Sequence, residues 1–177
     1  MKRIPGFCMA ALLVLAASCN NHDSKTMNNE TSSSNALLEQ SPLPFQAIPF
    51  DKIHDGDFAP AFEKGMKDQM IAIDSIANNA AAPTFDNTFL PMEKSSVLLT
   101  RVNLAFNLLS GANTNPELQK LQEEVAPKLA EHQDAIYLDT KLFARVDTLY
   151  AKREQLKLDP ESKRLVEYYY QKFVLAG

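Results

Sequence analysis

The chain has 177 residues, 45% of them hydrophobic and 23% charged, and a formal net charge of −4. That length suits a single domain, and the mildly acidic balance excludes a nucleic-acid surface built on basic patches. It also excludes a polybasic membrane-binding face, so any membrane attachment has to come from a covalent lipid.

Lys2 and Arg3 precede an unbroken apolar run from Phe7 to Ala17. About 11 apolar residues cannot cross roughly 30 Å of hydrocarbon as a helix, and the run has the form of a secretory leader. Leu15-Ala16-Ala17-Ser18-Cys19 resembles the lipobox of bacterial lipoproteins, in which the cysteine is acylated and becomes the new N-terminus. It departs from that pattern at Ala16, where a larger aliphatic residue is usual. The plain alternative is an ordinary cleaved leader with a cysteine beside the cut. The expectation is a signal peptide over residues 1–18, lipidation at Cys19, and export to the bacterial cell envelope, on its periplasmic or surface side. Cys8 falls in the leader and Cys19 carries lipid, so no thiol is left for a disulfide and the body relies on its core.

Residues 19–41 are rich in Asn, Ser and Thr and read as a disordered tether. Pro42, Pro44 and Pro49 then forbid a helix. Leu43, Phe45, Ile48 and Phe50 between them are expected to pack on the body, the alternative being a proline-rich ligand for a partner domain. The region 42–177 is expected to be all-α, with about five amphipathic helices. The first follows Asp57 as N-cap, with Phe58, Phe62, Met66, Met70, Ile73 and Ala77 facing inward. The second spans Thr88 to Leu109, with Val97, Leu98, Arg101, Leu104, Ala105 and Leu108 inward. Asn115-Pro116-Glu117 opens a third on Leu118, Leu121, Val125 and Leu129, which Pro127 should kink or split. A fourth covers Thr140 to Leu156 on Leu142, Phe143, Val146, Leu149 and Tyr150. Asp159 caps a fifth carrying Leu165, Tyr168, Tyr169 and Val174. Its pattern is still helical at Leu175, which suggests a truncated chain in which Tyr168, Tyr169 and Phe173 lack partners.

Chemistry-bearing constellations are sparse. His22 lies in the tether, and His54 and His132 stand alone without a second histidine at zinc-ligand spacing. Asp51, Asp55, Gly56 and Asp57 suggest a calcium loop, but Ile53 and Phe62 fall where oxygen ligands are needed, so a turn leading into the helix is the better reading. Neither G-x-S-x-G nor G-x-x-x-x-G-K occurs. Glu123, Glu124 and Glu131 read as solvated helix carboxylates. Tyr168, Tyr169, Tyr170 and Phe173 form the densest aromatic cluster, which suits core packing better than a peptide groove. The residues alone therefore offer no catalytic and no metal site.

Phe50-Asp51-Lys52-Ile53 with Phe58-Ala59-Pro60-Ala61-Phe62 resembles the first helix start of the thimet oligopeptidase family of zinc metallopeptidases, and Ala82-Pro83-Thr84-Phe85-Asp86-Asn87-Thr88 is similar to a segment of that family. Asn107-Leu108-Leu109, Ala112-Asn113-Thr114-Asn115, Ala126-Pro127-Lys128-Leu129, Leu142-Phe143-Ala144-Arg145-Val146 and Leu158-Asp159-Pro160-Glu161 continue the likeness. The peptidyl-dipeptidase (dipeptidyl carboxypeptidase) branch is the one most resembled. The resemblance implies a much longer enzyme that uses zinc to remove C-terminal dipeptides from short peptides. Its H-E-x-x-H site lies in a later part of the polypeptide. No catalytic or metal residue can therefore be placed on this chain, which is expected to bind no zinc itself and to form one wall of a peptide channel. A stand-alone helical lipoprotein that binds a peptide or partner is the alternative.

Overall fold

The computed structural model describes residues 34–177, which are all-α among the described residues. Six α-helices follow in order: α1 Phe58–Ala77, α2 Phe85–Ser95, α3 Val97–Ala112, α4 Pro116–Tyr137, α5 Thr140–Ala151 and α6 Pro160–Ala176. The expected second helix is thus two segments that meet at Ser96. Ser95 and Ser96 turn their hydroxyls onto the carbonyls of Met92 and Glu93, at 2.6 and 3.0 Å, and so compete for acceptors that a continuing helix would use. Pro127 does not split α4, which runs unbroken through it.

Local signals set most helix starts. Thr84 and Asn87 form a reciprocal capping box on α2, with Asn87 N–H donating to Thr84 Oγ1 at 3.1 Å and Thr84 N–H to Asn87 Oδ1 at 2.8 Å. Asn115, Asp139 and Asp159 cap α4, α5 and α6 through side-chain oxygens that accept N–H groups of the first turn. Asp57 stands at the N-cap of α1 as expected, but its side chain makes no capping bond to that helix. Its carboxylate accepts the His54 N–H at 2.8 Å and closes the short 3₁₀ turn Asp55–Asp57 that leads into α1.

Helix α1 is the spine. Its first half, with Phe58, Ala61 and Phe62, shares a core with Val102, Ala105 and Phe106 of α3 and with Leu118 and Val125 of α4. Phe106 meets both phenylalanines edge-on, at centroid distances of 5.2 and 5.4 Å. Gly65 lets α3 approach closely, since a Cβ there would lie 3.1 Å from Leu99 Cα. The second half of α1, with Ile73, Ile76 and Ala77, joins a second core made by α2, the end of α4, α5 and α6.

Three expectations need correction. The composition of residues 34–41 predicts tether, yet Asn35 to Leu38 form a turn and Leu37 is buried in the first core. Asn35 Nδ2 donates to Asp57 O at 2.7 Å and Arg101 Nη2 donates to Leu37 O at 2.5 Å, which fasten this arm to α1 and α3. The proline-rich strap packs less than expected: Leu43, Phe45 and Phe50 are exposed, and only Ile48 and Pro49 turn inward. Phe45 and Gln46 adopt φ of 58° and 56°, a left-handed backbone that β-carbon-bearing residues rarely take. Tyr169 and Phe173, expected to lack partners, are buried in the second core.

Candidate functional site

The four helices α1, α2, α4 and α6 leave a cleft of about 470 Å³ where they converge. Gln69 and Ile73 enter it from α1, Met92 and Glu93 from α2, Gln133, Ile136 and Tyr137 from α4, and Leu165, Tyr168 and Tyr169 from α6. Ile73, Met92, Ile136 and Tyr169 belong to the second core, whereas Glu93, Gln133 and Tyr168 are exposed. Tyr169 is buried, and its hydroxyl donates to Glu93 Oε1 at 2.6 Å. Burial pushes the Tyr169 hydroxyl well above the ordinary tyrosine range, and its hydrogen bond to Glu93 and the charge of that carboxylate push it further. Tyr137 is raised as well, first by burial and then by Tyr168 and Glu93 nearby. Both tyrosines therefore keep their protons. The lining combines one carboxylate, two amides, a serine hydroxyl and three tyrosines with an apolar floor, a set suited to binding.

The residues singled out from the sequence are dispersed. His54 stands beside Asp57, its Nδ1 3.5 Å from the carboxylate, and His132 is buried with Nε2 2.8 Å from Gln69 Oε1. Among the described residues no three His, Cys, Asp or Glu side chains gather as a metal would require. Asp55 accepts from Asn115 Nδ2 at 2.6 Å and belongs to the turn before α1. Glu123, Glu124 and Glu131 are exposed, with Glu124 3.6 Å from Lys120. Cys19 and His22 lie outside the described residues. No helix of the described residues is long and apolar enough to cross a membrane. The aromatic cluster of α6 divides: Tyr169 and Phe173 enter the core, Tyr170 stacks on Tyr150 at 3.7 Å, and Tyr168 lines the cleft half exposed. Glu93, 76 residues before Tyr169, gave no signal in the sequence, because only the fold brings them together.

His132 yields a pH-dependent expectation. Burial lowers its pKa from 6.5, so the fold prefers the neutral ring and the unfolded chain binds protons more readily. Its stabilising contribution is complete above about pH 6.5 and is lost as pH falls below that value toward the folded pKa. Urea midpoints at pH 7.5 and pH 5 should therefore differ more for the wild type than for His132→Asn; equal differences would refute the assignment.

No family model matches the chain. It is similar to dipeptidyl carboxypeptidase of Salmonella typhimurium, 48% identical over 145 residues that cover 82% of this chain and 21% of that protein. The Escherichia coli dipeptidyl carboxypeptidase is 48% identical over 143 residues, covering 81% of the chain and 21% of that protein. Oligopeptidase A of Escherichia coli is more distant, 24% identical over 134 residues. The chain is homologous to the N-terminal region of the dipeptidyl carboxypeptidases, and it spans about a fifth of the length of the relatives it matches.

Proposed function

We propose that this chain is the N-terminal, non-catalytic channel-wall portion of an exported zinc peptidyl-dipeptidase, an enzyme that removes dipeptides from the C-terminus of short peptides. The observation that carries the reading is 48% identity over four-fifths of the chain to proteins about five times as long. Zinc and the hydrolytic step belong, in this reading, to residues of the longer polypeptide, because the described residues offer no fitting ligand set. Surface chemistry supports it. Val97, Leu104 and Leu108 form an exposed apolar stripe along α3, and Leu138, Val174 and Leu175 form another near the end of α6. Apolar faces of this kind are what a longer polypeptide would cover. Reading the coding sequence past Gly177 tests the proposal: an open frame encoding H-E-x-x-H supports it, and a stop with no such remnant opposes it.

Attachment to the cell envelope is a separate part of the proposal, supported by Lys2, Arg3, the Phe7 to Ala17 run and the small residues before Cys19. Expressed in a bacterium fed labelled palmitate, the wild type should take up label and Cys19→Ser should not. Equal labelling would refute lipidation.

The second reading, a stand-alone helical lipoprotein that binds a peptide or partner, is favoured by one observation. Tyr169 and Phe173 find their packing partners within the chain itself.

A further inference from the structure

We propose that the cleft between α1, α2, α4 and α6 binds a primary ammonium group, held by the Glu93 carboxylate against the rings of Tyr137 and Tyr168. The inference stands on the cleft alone and does not depend on the peptidase reading.

Charge comes first. Glu93 is the one charged side chain among the residues lining the cleft, and no ion pair among the described residues includes it. Its Oε1 accepts the Tyr169 hydroxyl at 2.6 Å, which orients the carboxylate of an otherwise exposed residue. Oε2 has no hydrogen-bond partner among the described residues. A carboxylate so oriented presents a free acceptor and an uncompensated negative charge to whatever enters.

The walls select the kind of cation. Tyr168 and Tyr169 meet edge to face at 5.5 Å, and Tyr137 is held against Phe173 at 5.2 Å in the same manner. Tyr137 and Tyr168 line the cleft with rings that stay at least partly exposed, and an aromatic ring beside a carboxylate attracts an ammonium group. Lys172 gives an internal precedent, with its Nζ 5.4 Å from the Tyr168 ring centre, although Lys172 does not line the cleft. A divalent metal is a poor match, since a single carboxylate without histidine or cysteine supplies too few ligands. The Gln133 amide and the Ser96 hydroxyl, which also line the cleft, provide neutral acceptors for the remaining ammonium protons. A volume of about 470 Å³ leaves room for a short alkyl chain over Ile73, Ile136 and Leu165.

Such an ammonium can come from a free small amine or from a lysine side chain of a polypeptide. The test uses the full 177-residue chain in a non-ionic detergent, with binding followed by NMR shifts. The probes are n-butylammonium, its neutral counterpart n-butanol, and a terminally blocked pentapeptide carrying lysine or acetyl-lysine. The expected result is that n-butylammonium, the lysine peptide or both shift Glu93, Tyr137, Tyr168 and Tyr169, while n-butanol and the acetyl-lysine peptide do not. Binding of the peptide alone would assign the site to a polypeptide lysine; binding of the amine would assign it to a small molecule. Glu93→Gln keeps the acceptor for Tyr169 but removes the charge, and it should weaken binding about fivefold to tenfold. Equal binding of n-butylammonium and n-butanol by the wild type would overturn the proposal, as would the absence of shifts with every probe or unchanged affinity in a folded Glu93→Gln protein.

Discussion

Arg145→Ala should destabilise the body by about 2–4 kcal/mol, since hydrogen bonds from a charged group contribute about 1.5–3 kcal/mol each and are not additive. Arg145 projects from α5 and is only 6% exposed. Its guanidinium donates to Asn79 O at 2.8 Å, Ala81 O at 3.0 Å and Asn87 Oδ1 at 2.8 Å. One side chain therefore ties the loop after α1, and the capping box of α2, to a helix about 60 residues further along the chain. Removing it leaves the Asn79 and Ala81 carbonyls and the capping amide short of a donor. Arg145→Lys should recover less than half of the loss, because an ammonium cannot reach three acceptors spread around a planar fork. Urea denaturation followed by circular dichroism reads both variants. A loss below about 1 kcal/mol for the alanine variant would mean that water replaces the guanidinium without cost.

Phe173→Ala should cost about 3–5 kcal/mol, the usual range for truncating a buried phenylalanine. Phe173 is 3% exposed and packs against Tyr137 edge-on at 5.2 Å and against Phe143 in a stacked pair at 5.7 Å. That amount is a large part of a typical net stability of about 5–15 kcal/mol. The opposite expectation, that the end of α6 hangs without partners, predicts a change within about 0.5 kcal/mol, as at surface positions. The same denaturation experiment separates the two.

The helices were legible where apolar residues fall on one side only. In α1 the stripe Phe58, Phe62, Ile73 and Ala77 is buried as its spacing predicts, and α5 buries Leu142, Val146 and Leu149. Helix α3 misleads because it is apolar on more than one face. Val97, Leu104 and Leu108 share one face and Val102, Ala105 and Phe106 another, and only packing against α1 decides that the second faces inward. In α6 the stripe expected on Leu165, Tyr168, Tyr169 and Val174 holds at Tyr169, but the buried set is Val166, Tyr169 and Phe173, and Tyr168 and Val174 are exposed. Strap residues Leu43, Phe45 and Phe50 were assigned inward on hydrophobicity alone, which does not say what surface is there to receive them. Arg145 and Leu37 escaped notice for a related reason. A buried arginine is justified by carbonyls that a loop delivers, and a short Ala36-Leu37-Leu38 run in a polar stretch has no period. The cleft was partly legible, since the α6 tyrosines stood out as a cluster. Glu93 did not, because an exposed helix glutamate looks the same in sequence whether or not a tyrosine hydroxyl reaches it.

A chimera tests the central claim most directly. The matching N-terminal region of the Salmonella typhimurium dipeptidyl carboxypeptidase would be replaced by residues 34–177 of this chain, and release of C-terminal dipeptides from a blocked tetrapeptide measured with and without a chelator. The account predicts a folded chimera with chelator-sensitive activity within about tenfold of the parent enzyme, because the transplanted helices shape the channel and the retained part supplies the chemistry. A folded, zinc-loaded chimera that releases no dipeptide would contradict it.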